Sequence, residues 1–240
     1  MAGDIKPLMD LRIRETPKTL RELALDRMRS AIMEMRFQPG ERLTERDLCA
    51  QLGVSRSVVR EVIRHLETEG LIQNVPFQGP VIARLDPDQV AEIYDIRSML
   101  ESAAARAAAE RATEAQKEEL QKALLQIDAA YEREDFRGAL NATTHFYEIM
   151  FESGGKAVGW EMVQRLNGRI SRLRAMTVSS PGRKVAGMMQ LRKICEAIRK
   201  GDSEAAADAC RDHLRNAAEI AQAVLRAQQE AAQDSAVDPG

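Results

Sequence analysis

Four polar side chains, Ser55, Arg56, Ser57 and Arg60, lie within little more than one predicted helical turn. An arginine can donate two parallel hydrogen bonds to a guanine or hold a phosphate, and a serine hydroxyl suits a phosphate or a base. Arg56 and Arg60 are four positions apart, so both lie on one face of a helix. This pattern is typical of a helix that binds DNA, and also of an ordinary solvated amphipathic helix.

Arg97 is the second candidate, because it shares a predicted helix face with apolar residues such as Ile93. A buried guanidinium needs a partner, since an unpaired buried charge is costly. The partner can be a ligand carboxylate, held by two hydrogen bonds, or Glu101, four residues further on. Arg172 and Arg174 can add positive charge to a ligand pocket at Arg97, although we expect at least one of them to be solvated.

The elements that position the first cluster begin with a helix that starts at Thr19 and stops before Pro39-Gly40. A second helix is predicted over about 44–52, with Thr44 as its N-cap, and Gly53 ends it. Ser55 then caps a third helix, which ends at Gly70.

A β-hairpin follows, with strands over 71–77 and 80–85 and the pair Gln78-Gly79 at its tip. Two helices, a glycine turn, a third helix and a hairpin form the order of a winged helix-turn-helix, in which the third helix enters the DNA major groove. This order favours DNA binding over the solvated-helix alternative. The small tip suits approach to a minor groove or a phosphate.

Beyond the break at Asp86-Pro87 the chain is predicted to be entirely helical. The expected fold class is therefore mostly α, with an N-terminal winged helix-turn-helix over 17–86 and an all-helical C-terminal bundle over 87–230. Residues 1–16 are predicted to be a flexible arm, and residues 231–240 a disordered tail. The predicted helices of the bundle span 88–111, 114–133, 135–153, 157–177, 182–200 and 203–230.

The amino-acid composition agrees with this fold and also bears on the cellular compartment in which the protein works. The chain has 240 residues, of which 44% are hydrophobic and only 4% aromatic, a balance that favours helices. It has neither a membrane-spanning apolar run nor a signal-peptide pattern, so we expect a cytoplasmic protein. Cys49, Cys195 and Cys210 are predicted to be reduced core residues. Because the net charge is −2, DNA contact must come from a local patch.

The N-terminal part is similar to the DNA-binding domain of the GntR family of bacterial transcription regulators. The similarity covers residues 18–85 and rests on a Pro-Gly turn, LTERDL at 43–48, GVSRSVVR at 53–60, LETEGL at 66–71 and a glycine in the wing. Carried over by this resemblance, the DNA contacts are Arg46, Ser55, Arg56, Ser57, Arg60 and Gly79.

The C-terminal part resembles the FadR-type ligand-binding domain called FCD, a likeness that implies an antiparallel bundle of six or seven helices around an effector pocket. The similarity rests on IYDIR at 93–97, LE at 100–101, NATTH at 141–145, EAIRKGD at 196–202 and HL at 213–214. It implies a homodimer whose helical domain binds a small organic-acid effector, with Arg97 as one of the residues that contact this effector. Arg172 and Arg174 are further candidates for contact with that effector.

Many members of this family bind a divalent metal through an Asp-x-x-x-His pair and two later histidines. Here Asn141 replaces the aspartate, His145 and His213 match, and Leu191 occupies the remaining position. Zinc or nickel would find no protein carboxylate in this set, so we expect that no cofactor is required. Asn141 and the two histidines can instead contact the effector, or the histidines can be internal hydrogen-bonding residues.

The resulting hypothesis is a homodimeric repressor that reads a near-palindromic operator and responds to an organic acid. Residues 17–85 carry a net charge of only +2, which suggests that binding depends on two copies acting together. A metal-dependent enzyme is the alternative from another class, but no Cys/His or Ser/His/Asp arrangement and no phosphate loop supports it. A ligand-independent architectural DNA binder is the third alternative.

Overall fold

The computed structural model describes residues 18–178 and 183–237, and this part of the chain is helical apart from one two-stranded antiparallel sheet. The N-terminal elements are α1 Leu20–Met33, α2 Glu45–Leu52, α3 Arg56–Thr68, β1 Ile72–Val75 and β2 Gly79–Ile82. The C-terminal elements are α4 Pro87–Arg111, α5 Glu114–Glu132, α6 Phe136–Ser153, α7 Ala157–Arg165, α8 Asn167–Val178, α9 Arg183–Lys200 and α10 Ser203–Val237. The predicted fold class is confirmed.

The N-terminal helices begin and end at local signals. Thr44 caps α2 by accepting a hydrogen bond from the Asp47 amide, and Gly53 ends that helix with a left-handed φ of 66°. Ser55 occupies the N-cap of α3, but its hydroxyl bonds the Ser57 hydroxyl at 2.8 Å instead of a backbone amide. Ser55 is thus the N-cap residue of α3, as predicted, although its side chain makes no capping hydrogen bond.

Helix α1 is shorter than predicted. It ends at Met33, and the chain then turns through Met35, whose φ is 55°, well before Pro39. A core below the three helices fixes the orientation of α3, since its apolar face is buried there. The core residues of this cluster include Ile32, Leu48, Val59, Val62, Leu66, Leu71 and Ile82.

The hairpin register moves the wing tip away from its predicted place. Ile72 pairs with Ile82 and Val75 pairs with Gly79, so Gly79 is the first residue of β2 and the tip consists of residues 76–78. Ile72 and Ile82 are both buried, and burial of one strand face fixes the register. The prediction of Gln78-Gly79 as the tip was wrong.

In the C-terminal bundle, α4 is central and contacts α6, α7, α9 and α10. The predicted helix over 157–177 is two helices, α7 and α8, because the chain turns at Leu166, before Asn167-Gly168. Helix α10 continues to Val237, which corrects the predicted disordered tail from 231; residues 238–240 and the predicted arm over 1–16 lie outside the described residues. The core includes Leu120, Ile127, Phe146, Phe151, Ile194, Ile198 and Leu214.

Two further sequence predictions can be compared with this fold. Cys195 and Cys210 are buried and Cys49 is partly buried, and all three are free thiols. Burial raises the pKa of the Cys195 thiol to about 11, so this side chain stays protonated at neutral pH. None of the described helices is long and apolar enough to cross a membrane.

Candidate functional site

The N-terminal end of α3 presents the polar cluster that the sequence predicted. Arg56, Ser57 and Arg60 are exposed, while Val59 and Val62 on the opposite face are each 1% exposed and pack into the core. The buried stripe thus leaves the hydrogen-bonding side chains on the outside. Ser55 precedes them at the N-cap and is also exposed, as is the predicted contact Arg46 on α2.

Arg60 is held by an acidic residue of the preceding helix. Its Nε donates to Glu45 Oε1 at 2.7 Å, which joins α3 to the start of α2. This hydrogen bond, together with the charges of Arg60 and Arg56, lowers the pKa of Glu45, so the carboxylate stays ionised. Glu45 therefore fixes the direction of Arg60 and leaves its other guanidinium donors available to another partner.

Arg97 is buried, and Glu101 is its partner. Arg97 Nε lies 2.7 Å from Glu101 Oε1 and Nη2 lies 3.2 Å from Oε2, so the pair is bidentate. Burial by itself would lower the pKa of Arg97, but the charge of Glu101 raises it above its ordinary value. The rings of Tyr94 and Tyr147 lie 5.1 and 5.9 Å from the guanidinium carbon. The geometry thus favours Glu101 over a ligand carboxylate as the partner of the buried Arg97 guanidinium.

Arg172 points away from the bundle interior, toward the N-terminal domain. It is 2% exposed, and its Nη1 donates to the carbonyl oxygen of Ala83, just beyond β2. One turn earlier on α8, Gly168 lies so close to the end of α3 that an added Cβ would be 2.7 Å from the Glu69 carbonyl oxygen. Arg172 therefore belongs to the contact between the two domains and is not solvated.

Arg174 lies at a small, partly open cavity of about 40 Å³. Its guanidinium carbon is 5.1 Å from the Tyr147 ring centre, and its Nη1 reaches Thr144 Oγ1 at 3.4 Å. Burial, and then the charge of Arg97, lower the pKa of Arg174. Arg174 forms no ion pair with any carboxylate of the described residues. The cavity is lined by Tyr131, Leu140, Thr143, Arg174, Thr177, Gly187, Met188, Leu191 and His213.

His213 shares this cavity, whereas Asn141 and His145 do not. His213 is 5% exposed, and its Nδ1 lies 3.2 Å from Gln190 Oε1. Asn141 and His145 line a groove of about 890 Å³ between the N-terminal helices and α6 and α8. His145 is exposed there and pairs with Glu148 at 3.1 Å, so it is not an internal residue.

The structure therefore does not bring Asn141, His145 and His213 together as one set of ligands. Leu191, at the fourth position of the family pattern, is buried beside His213. No group of three or more His, Cys, Asp or Glu residues in the described part of the chain could hold a metal ion. These residues do not fit a divalent metal centre, and the expectation that no cofactor is required stays a prediction.

Sequence reasoning missed the side chain at the wing tip. Phe77 is fully exposed there, in a left-handed backbone conformation with φ 65°. Gly79, the predicted contact, begins β2 and has a φ of 81°. The sequence pattern points only to polar side chains and Gly79 as contacts, so it does not indicate the apolar Phe77, although the place of Phe77 between Pro76 and Gln78 is a turn signal.

The N-terminal domain combines three helices, an exposed polar helix end and a hairpin wing, and it is joined to a helical bundle. This combination defines a DNA-binding transcription regulator. The N-terminal domain is called the reader domain below. Residues 20–82 match the bacterial regulatory proteins of the gntR family, and residues 92–216 match the FCD domain. The chain belongs to the GntR family, in the group whose members carry an FCD domain.

Individual relatives agree with this assignment. The HTH-type transcriptional repressor RspR of Escherichia coli (strain K12) is 29% identical over 203 residues, covering 85% of this chain and 88% of its own. An HTH-type transcriptional regulator of Streptomyces ambofaciens is 30% identical and covers 79% of each chain. A GntR regulator structure from Rhodococcus sp. RHA1 has the same fold, with a TM-score of 0.70 at 23% identity over 84% of this chain and 96% of that one.

Proposed function

We propose that this DNA-binding regulator is a homodimeric repressor whose affinity for its operator is set by a small organic acid bound at Arg174. The observation that carries the proposal is a cation without an ion-paired carboxylate at a small, partly open cavity. All nine described lining residues are neutral or basic, because none of them is Asp or Glu. A half-buried guanidinium in such a place is suited to an anion.

The cavity limits the size of the anion. About 40 Å³ holds roughly three water-sized groups, which is enough for a carboxylate and a short tail. The Tyr147 hydroxyl is buried and has no hydrogen-bond partner within the described residues. A ligand oxygen near Arg174 would supply partners for polar groups on this side of the bundle. In this proposal Arg97 supports the site only through its ion pair with Glu101. Asn141 and His145 would contact only a ligand long enough to extend into the groove between the two domains.

Helix α8 provides a physical link between the acid and the DNA reader. Arg174 and Thr177 of its second half line the cavity, while Gly168 and Arg172 of its first half contact the N-terminal domain. A ligand that shifts α8 would therefore change the placement of α3 relative to the bundle. In a dimer this changes the spacing of the two recognition helices, and so the population of the DNA-competent state.

Replacing Arg174 by glutamine should remove acid binding while the domain stays folded. In a thermal-shift panel of short organic acids, one acid at a hundred times its Kd should raise the wild-type Tm by about 5–10 °C, which corresponds to about 2.7 kcal/mol of linkage. Arg174→Gln should show no such shift. The matched control is Arg165→Gln on the exposed surface of α7, which should keep the full shift. An acid that stabilises Arg174→Gln as much as wild type would contradict the assignment.

We also propose that two chains associate through the helical domain. Helices α4 and α7 contact each other and present large exposed apolar side chains, among them Met99 at 70% and Val158 at 67%. Exposed apolar groups of this kind mark interaction surfaces. Sedimentation should give twice the chain mass of 26.7 kDa, and Val158→Glu should lower that value. A wild-type monomer that binds operator DNA with full affinity would refute the dimer.

Regulation is proposed in preference to catalysis because none of the described residues that line the Arg174 cavity is Cys, Lys, Ser, Asp or Glu. Turnover of the bound acid, measured by its disappearance in the presence of the protein, would support the enzyme alternative instead. A DNA-bound repressor of this kind would work in the cytoplasm.

A further inference from the structure

The aromatic side chain of Phe77 projects from the tip of the wing. It is the most exposed of the large apolar side chains in the described part of the chain, at 105% of its reference area. The ring is fully exposed at the outermost point of the hairpin, so it is available to a partner.

The backbone at this position adds a second, independent observation. Phe77 has a φ of 65°, in the left-handed region that bulky residues rarely adopt. The turn is closed by a hydrogen bond from the Gln78 amide to the Val75 carbonyl at 3.1 Å, which holds the ring outward. Strained positions of this kind concentrate at functional sites, and glycine would fit the same turn without strain.

The chemistry around the ring matches the DNA minor groove. The exposed neighbours Gln73, Asn74 and Gln78 all carry side-chain amides, and residues 71–83 contain no acidic side chain that phosphates would repel. Proteins that bind the minor groove combine amide or basic side chains with an apolar wedge placed between base pairs. Arg42, exposed and bridged to Val81, adds positive charge at the edge of the wing.

The placement of the wing favours the same occupant. Strand β1 begins four residues after the end of α3 and contacts that helix, so the wing lies beside the helix that enters the major groove. The neighbouring groove of the DNA is then the surface that the tip meets. We propose that Phe77 inserts into the operator minor groove as an apolar wedge, unstacks a base step and contributes to affinity and to the choice of deformable sequence.

The test uses Phe77→Gly in the full chain, because this variant should move stability and DNA binding in opposite directions. Glycine relieves the positive φ, so the Tm should stay the same or rise. Removal of the ring should weaken operator binding by about tenfold or more, as loss of an aromatic–base contact does. Phe77→Trp should keep the affinity, and Phe136→Ala, at an exposed phenylalanine of the helical domain, should leave it unchanged.

Insertion of the Phe77 ring is measured separately, with the fluorescent base 2-aminopurine placed at successive base steps beside each half-site of the operator. Wild-type protein should raise the fluorescence of one step by unstacking it, and Phe77→Gly should not. Wild-type affinity in Phe77→Gly would overturn the proposal, and so would weaker binding with an unchanged fluorescence response. A changed sedimentation coefficient with unchanged DNA affinity would assign Phe77 to a protein contact instead. The proposal rests on docking of α3, whose failure would appear separately as full operator affinity in Arg56→Ala.

Discussion

Alanine at Arg56 or at Arg60 is expected to weaken specific operator binding strongly while the fold and the dimer persist. Both side chains are exposed on α3, and Arg60 is hydrogen-bonded to Glu45 of α2, so neither supports the core. A bidentate arginine–base contact contributes about 1–3 kcal/mol, and a dimer loses two of them. The affinity should fall by roughly 30-fold to 10⁴-fold.

The measurement is operator affinity at moderate salt, compared with affinity for an unrelated duplex. Arg27→Ala provides the matched control, because it removes an exposed arginine from α1 of the same domain without touching α3. Circular dichroism and sedimentation should be identical for all three variants. If Arg56→Ala or Arg60→Ala bound the operator as tightly as wild type, that residue would have no part in docking.

Glu101→Ala is expected to be the most destabilising single substitution in the helical domain. It leaves Arg97 charged and without its bidentate partner at a site where both side chains are almost completely buried, at 2% and 1% exposure. Removal of one partner from a buried ion pair costs about 3–5 kcal/mol. The Tm should therefore fall by roughly 6–20 °C.

The double variant Arg97→Met with Glu101→Leu separates this explanation from a simple loss of packing. Replacing both charges by apolar side chains of similar size should recover most of the lost stability, because no unpaired charge remains. Thermal unfolding of the wild type and the two variants makes the comparison. A Tm for Glu101→Ala within a degree or two of wild type would show that Arg97 has another partner, and would return it to the list of effector ligands.

The reader domain could be predicted from sequence because its elements depend on local signals. Thr44 and Gly53 bound α2 as expected, since a hydroxyl cap and a left-handed glycine act within a few residues. The wing tip could not be placed, because the pairing of Ile72 with Ile82 across the hairpin outweighs the preference of Gln78-Gly79 for a turn.

The helical domain was less predictable, because the roles of its arginines depend on how α8 packs. Arg172 and Arg174 are two positions apart, so on a helix they face different directions, and the sequence does not say which one faces the cavity. The break before Gly168 brings α8 against Glu69 of the reader domain, which no periodicity in residues 157–177 revealed. The Arg97–Glu101 pair was foreseen as an alternative, because a spacing of four is a local rule.

The central claim is that an acid at Arg174 controls DNA binding, and one titration tests it most directly. Fluorescence anisotropy of labelled DNA from upstream of the chain's own gene is measured with wild type and with Arg174→Gln, each with and without the acid selected by thermal shift. We predict saturable binding by both proteins, and a shift of the binding midpoint by the acid in wild type alone. Equal midpoints with and without acid in wild type, or an equal shift in Arg174→Gln, would contradict the account.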